Sequence, residues 1–369
     1  VFHICISQLK ELLLICKSIL TAIGINLKSS DMKYRVLIAA LLICIVGGSQ
    51  VELLAQEESV EPFLGMWALT LDYENNKAGW LEVRQEDGYL DSDLLWRWGS
   101  VTSVGHTMVL GDNLLLVQGS DVTKRKAGHA DRELHWVQWF EVSKTGEDLI
   151  EGVASFPNRD GVGLETVSFT GKRIPPEGPP PKIKKSMLGD PQELLNGVDL
   201  EGWELNEKDA KNGWSVVDGV LVNSPERGAR YGNLRTTATF EDFNLKLEVN
   251  VPKGSNSGVY LRGIYEVQVM DSYGKELDSH HMGGLYSRIT PSEAAEKPAG
   301  EWQSMDITLC KRHLTVKLNG KTIIDNQPVK GVTGGALTSD QFSPGPILLQ
   351  GDHGKVSYRN IVLRPITEK

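Results

Sequence analysis

The strictest constraint on this chain is a period of two. Phe243, Leu245, Leu247, Val249 and Val251 alternate with Asn244, Lys246, Glu248 and Asn250, the pattern of a strand with one buried and one solvated face. The same period runs through residues 256–271. Val259 and Leu261 fall on one face there, with Tyr260 and Arg262 on the other. A reversal near Gly263 returns Val267 and Val269 to the core side and Glu266 and Gln268 to the outer side. An acid, an amide, an arginine and a tyrosine are therefore expected on one open sheet face. That set is suited to gripping a polar ligand, although a salt-bridged sheet surface would use the same residues.

Turn chemistry extends the β reading in both directions. Asp218-Gly219 and Asn319-Gly320 are two-residue hairpin signals between apolar runs. About a dozen strands over residues 187–369 fit a two-sheet jelly-roll sandwich, with only Pro291–Ala295 suggesting a helical turn. Residues 57–171 carry short strands punctuated by turns at about ten-residue spacing, which fits a small β-barrel-like domain. Trp67, Trp80, Trp96, Trp98, Trp136 and Trp139 fall here, as core filling or as a sugar-stacking cavity. Trp96 and Trp98, two apart, are expected on one face. The opening Gly65-Met66-Trp67 resembles the Gly-x-Trp start of lipocalin-like barrels. Between the two regions, residues 172–186 hold five prolines and read as a semi-rigid linker. The expected fold class is all-β throughout.

Composition narrows the partners. A formal charge of −9 without a basic cluster argues against a nucleic-acid groove. Met32 is the first methionine and is followed by Lys33 and Arg35, the apolar run 36–46 and small residues at 47–49. That order describes a secretory signal peptide, so residues 1–56 are expected to be leader sequence. The mature protein is then periplasmic or secreted, with no membrane span. Cys5, Cys16 and Cys44 would leave with the leader, so only Cys310 would remain and no intrachain disulfide could form.

Several segments appear in a recognisable order. They are Leu195-Asn196-Gly197-Val198-Asp199-Leu200-Glu201-Gly202-Trp203, Trp214 to Gly219, Asn256-Ser257-Gly258 with Arg262, and Tyr265 to Asp271. Gly284-Leu285-Tyr286, Lys297 to Trp302, Leu318-Asn319-Gly320, Gly345 to Gln350 and Asp352-His353-Gly354 follow. Together they resemble the bacterial 3-keto-disaccharide hydrolase family, also described as 3-keto-glucoside 1,2-lyase/hydratase domains. Gln303 departs from the asparagine expected after Glu-Trp. The resemblance covers the second domain only. It implies a concanavalin-like jelly roll, export, and an oligosaccharide or glycoside substrate oxidised at C3 of the sugar.

A 3-keto group acidifies the proton on C2. Its removal gives an enediolate that can expel the C1 substituent, after which water adds back. Such chemistry needs a base near C2, a donor at the developing oxyanion and an acid at the leaving oxygen. His353 is the best candidate base, because imidazole titrates near neutrality. Glu266 could orient His353, act as base itself, or bind a divalent cation with Asp271 and His353. Arg262 and Gln268 are cast as clamps on carbonyl or hydroxyl oxygens. Tyr260, Asn256, Tyr286, Gln350 and Trp302 complete the candidate substrate-binding set.

Two other function classes use the same residues. One is a non-catalytic carbohydrate-binding, laminin-G-like module. The other is direct β-glycoside hydrolysis, because Glu266-x-Gln268-x-x-Asp271 has the spacing of a retaining β-glucanase strand. Retaining chemistry needs two carboxyls about 5–5.5 Å apart, and Glu266 and Asp271 have opposite strand parity.

Overall fold

The computed structural model describes residues 59–75, 77–124, 132–158, 160–226 and 231–367. The leader and signal-peptide reading of residues 1–56 lies outside them. Ser59–Lys369 packs as one unit. Among the described residues, no helix is long and apolar enough to cross a membrane.

The fold is all-β, and its first part is a closed barrel. Its strands are β1 (Gly65–Leu71), β2 (Ala78–Glu86), β3 (Tyr89–Trp96), β4 (Thr102–Ser103), β5 (His106–Leu110), β6 (Asn113–Lys124), β7 (Arg132–Gly146), β8 (Leu149–Pro157) and β9 (Leu164–Ile174). Neighbours pair antiparallel in the order β2-β1-β9-β8-β7-β6-β5-β3, and a β2–β3 pairing closes the ring, with β4 attached to β3. Alternation sorts each strand in two. Trp67, Leu69, Leu71, Leu81, Val83 and Phe140 fill the barrel interior. Met66, Ala78, Trp80 and Leu95 point outward into the core of the second part.

That second part is a sandwich. Its strands are β10 (Gln192–Glu193), β11 (Trp203–Leu205), β12 (Trp214–Val217), β13 (Val220–Asn223), β14 (Leu234–Thr236), β15 (Phe243–Asn250), β16 (Asn256–Leu261), β17 (Tyr265–Met270), β18 (Trp302–Cys310), β19 (His313–Leu318), β20 (Lys321–Pro328), β21 (Leu348–Leu349) and β22 (Val356–Pro365). One sheet has the order β12-β13-β22-β15-β18-β19-β20 with β10 on β22, and the other β11-β14-β21-β16-β17. Leu245, Leu247, Val249, Val259, Val267 and Val269 supply the core between the sheets, all 2% exposed or less. Both hairpin signals close as expected, with positive φ at Asp218, Gly219, Asn319 and Gly320. Pro291–Ala295 forms bends rather than a helical turn. Its Pro291 and Ser292 are drawn along the sandwich instead, where Ser292 N–H donates to Ile323 O.

The proline-rich stretch is tied down along its length. Arg312 Nη2 donates to Pro175 O at 2.8 Å and Asn326 Nδ2 to Pro181 O at 3.1 Å. Barrel and sandwich also meet directly. Trp80 lies against the backbone of Gly331, its indole N–H donates to Lys330 O at 3.1 Å, and the Arg288 guanidinium covers its ring at 4.1 Å. Burying an indole in this way contributes about 3–5 kcal/mol relative to alanine.

Candidate active site

The expected sheet face exists, but it is not open. Tyr260 pairs with Glu266 across β16 and β17, and Gly258 with Gln268. Tyr260, Glu266 and Gln268 are 4%, 3% and 2% exposed. The residue 331–337 loop and a barrel loop cover that face. Thr333 fixes the first cover: its N–H donates to Ile264 O and its hydroxyl accepts from the Glu266 N–H at 2.9 Å. What remains is a cavity of about 290 Å³, lined by Asn256, Tyr260, Glu266, Tyr286, Gln350 and His353 among others.

Glu266 lies at its floor. A Cβ on Gly258 would come within 2.2 Å of Glu266 Oε1, so glycine leaves room for the carboxyl. Burial pushes the Glu266 acid up to about 8, against the opposing effects of the Tyr260 hydrogen bond and the His353 charge. The Tyr260 hydroxyl is 2.9 Å from Glu266 Oε2 and also 2.9 Å from Gly334 O. One phenolic proton cannot serve both acceptors. A protonated Glu266 resolves this by donating to the Tyr260 oxygen while Tyr260 donates to Gly334.

His353 enters from the loop between β21 and β22. Asn223, fully buried, holds that loop by donating to Gly351 O at 2.8 Å and Gly354 O at 3.0 Å. His353 Nδ1 lies 2.6 Å from Asp352 Oδ1. That hydrogen bond raises the imidazole above its usual range, against partial burial. With Nδ1–H on Asp352, Nε2 is the atom that can exchange a proton.

The other cavity walls come from main-chain pairing. Tyr286 N–H donates to Glu266 O, and Gln350 N–H donates to Gly258 O. Asn256 Oδ1 and Gln350 Oε1 are buried with no hydrogen-bond partner among the described residues. An unsatisfied buried acceptor costs about 1–3 kcal/mol, which a ligand hydroxyl would offset.

Four expected site residues lie elsewhere. Arg262 sits in the reversal with φ +55°, which turns its side chain off the strand to donate to Ser343 O at 2.6 and 3.1 Å. Gln268 Nε2 donates to His280 O, so its amide braces a loop. Asp271 Oδ2 accepts the Gly254 N–H and caps a turn. Trp302 belongs to the opposite sheet, with the Arg359 guanidinium 4.1 Å over its ring. The Glu266-Asp271-His353 metal set therefore does not assemble. No group of three or more His, Cys, Asp or Glu side chains among the described residues converges as a cation site. Asp271 is not among the residues that line the cavity around Glu266. Gln303 is structural: its carbonyl accepts from Lys297 N and Asn319 Nδ2.

Two cavity residues come from the barrel, where the tryptophans left core filling and a sugar-stacking cavity both open. Trp98 and Gly99 line the same wall. Trp96 and Trp98 do not share a face, because Arg97 adopts φ +72° and breaks the alternation. Trp96 packs on Phe140, Phe156 and Phe169, whereas Trp98 is exposed.

Comparison with known proteins bears on this sandwich. A family model for the 3-keto-alpha-glucoside-1,2-lyase-like domain matches residues 190–364. The 3-keto-disaccharide hydrolase of Bacteroides thetaiotaomicron is 25% identical over 165 residues, covering 36% of this chain and 57% of that protein. The chain thus spans little more than half the length of that curated relative. Two solved structures of candidate glycosyl hydrolases from Parabacteroides distasonis are also similar. One is 30% identical, covers 48% of this chain and 84% of its own, and has a TM-score of 0.42. The other is 25% identical, covers 48% and 100%, and has a TM-score of 0.39.

Proposed function

Residues 190–364 belong to the 3-keto-alpha-glucoside-1,2-lyase-like domain family, and from that premise we propose that the Glu266–His353 cavity cleaves glycosides oxidised at C3 of the sugar. The observation that carries this reading is the pairing of a buried, proton-retaining carboxyl with an Asp-anchored imidazole in one polar cavity. Two titratable groups set apart by environment are what an acid–base elimination needs.

Neutral His353 takes the C2 proton at Nε2. The C2–H electron pair moves into the carbonyl, giving an enediolate with its charge on O3. That pair then returns to form the C1–C2 double bond while the C1–O bond breaks. Glu266, neutral at pH 7, protonates the leaving oxygen, which releases the aglycone as an alcohol. Water adds to C1 and a proton returns to C2, so the net reaction is hydrolysis. Asn256 and Gln350 accept from sugar hydroxyls, which satisfies their buried oxygens. Export to the periplasm or beyond would put the enzyme where such glycosides are met.

The test is to incubate the purified chain with a 3-keto-α-glucoside and follow 3-ketoglucose and the 2-hydroxyglycal intermediate by mass spectrometry. Both should form, and Glu266→Gln and His353→Ala should each reduce the rate by at least about a hundredfold. Binding without turnover, for several linkages, would instead identify a carbohydrate-binding module.

A further inference from the structure

The barrel lies outside the matched family domain, yet it reaches the cavity. We propose that Trp98 is the platform on which the oxidised sugar ring stacks, so the barrel completes the active site. This rests on the reading of the cavity as a sugar site.

A single exposed indole on an open surface needs no explanation. Trp98 differs in being both 59% exposed and locked in place. The Arg97 guanidinium lies between two rings, 3.6 Å from the centre of Tyr73 and 4.2 Å from that of Trp98. Tyr73 is itself packed edge-on to Trp96, whose indole N–H donates to its hydroxyl at 3.3 Å. The indole thus stands on a column that begins in the barrel's aromatic core.

The loop carrying it is fastened to the sandwich on both sides. Gly335 N–H donates to Arg97 O at 3.2 Å, and Val101 N–H donates to Ser287 Oγ at 2.8 Å. Ser100 Oγ and His280 Nε2 share a hydrogen bond of 2.8 Å, with His280 Nδ1 on Asp278. Gly99 and Gly334 approach so closely that a Cβ on Gly334 would lie 2.1 Å from Gly99 O. Such fixation holds an aromatic face ready before ligand arrives, so little entropy is lost on binding.

The chemistry fits a pyranose. Its rim carries hydroxyls, which the amide and carboxyl groups of the cavity can bind, and one face presents C–H groups. A fixed indole covers that apolar face, much as aromatic platforms cover nucleobases.

The experiment uses the full chain and a single-ring probe, methyl 3-keto-α-glucoside. Kinetics are measured for the unsubstituted protein, Trp98→Ala and Trp98→Phe. Affinity is measured calorimetrically with the same Trp98 changes in a Glu266→Gln background that slows turnover. We expect Trp98→Ala to raise KM and Kd about tenfold, with a far smaller fall in kcat, and Trp98→Phe to recover most of the loss. An unchanged melting profile separates these losses from misfolding. Unchanged KM and Kd in a protein that still turns over would overturn the platform and leave the reaction standing. An effect confined to disaccharide substrates would also overturn it, because the oxidised ring would then not be the one stacked. No turnover by the unsubstituted chain, with binding that Trp98→Ala weakens, would overturn the reaction and keep the platform.

Discussion

The Tyr260 hydroxyl lies 2.9 Å from Glu266 Oε2, inside a sheet face where the two side chains are 4% and 3% exposed. Once Glu266 ionises, Tyr260 turns its proton from Gly334 O to the carboxylate, and this contact lowers the Glu266 acid from where burial alone would hold it. If Glu266 is the general acid, kcat/KM falls on the alkaline side near pH 8, where it loses its proton. Tyr260→Phe removes the hydrogen bond, so the alkaline limb should move to higher pH. A pH–rate profile of the two proteins checks this, and an unmoved limb would assign it to another group.

Glu266 also makes stability depend on pH. Its folded value, about 8, lies above the ordinary 4.5, so the folded state keeps the proton longer than the unfolded state. Stability is therefore lost as pH rises from about 4.5 to about 8, and the loss is complete above that. Glu266→Gln removes the titration while keeping a donor to the Tyr260 oxygen. The variant should gain on the native protein by a few kcal/mol between about pH 4 and about pH 9, read by chemical denaturation at each pH. A difference that stays constant with pH would mean that Glu266 ionises alike in the folded and unfolded states.

Gly258 holds no side chain because Glu266 occupies the space. Its Cβ would meet Glu266 Oε1 at 2.2 Å and Cγ at 2.8 Å. Gly258→Ala should displace the carboxyl and lower kcat by at least about tenfold, since a misplacement of an ångström costs that much or more. Circular dichroism should remain that of the native fold. Full activity would mean that the carboxyl can work from another position.

Asn223 holds His353 without touching the cavity chemistry. Its amide bridges Gly351 O and Gly354 O, the two ends of the Asp352–His353 turn. Asn223→Ala leaves the buried Gly351 carbonyl and the part-buried Gly354 carbonyl without this donor, which costs about 1–3 kcal/mol for the buried one. The variant should lose kcat more than its stability loss accounts for. Its pH–rate profile should also change on the acid side, where His353 titrates. A stability loss with an unaltered profile would limit Asn223 to a structural role.

These residues differ in how far the sequence alone exposes them. Alternation in β15, β16 and β17 assigns Tyr260 and Glu266 to one face correctly, because strand parity is a local property. It fails where one residue leaves the β region. Arg262 at φ +55° turns from the cavity to Ser343, and Arg97 at φ +72° separates Trp96 from Trp98. Whether a sheet face is open is not local at all. Residues 331–337 and the barrel loop arrive from opposite ends of the chain to cover Glu266, and the resulting burial raises its acid. The role of Asn223 is hidden for the same reason, since its partners are more than a hundred residues away. Trp302 had an aromatic side chain suited to a sugar, but strand order puts it on the opposite sheet.

If cleavage in the Glu266–His353 cavity begins with removal of the C2 proton, breaking that C–H bond must register in the rate. The most direct measurement is the isotope effect on kcat/KM for a 3-keto-α-glucoside carrying deuterium at C2. Elimination followed by hydration predicts that the deuterated substrate is cleaved several-fold more slowly, with the effect still present in whatever activity His353→Ala retains. Equal rates for the two substrates, with normal release of 3-ketoglucose, would contradict C2 proton removal and favour direct displacement at C1.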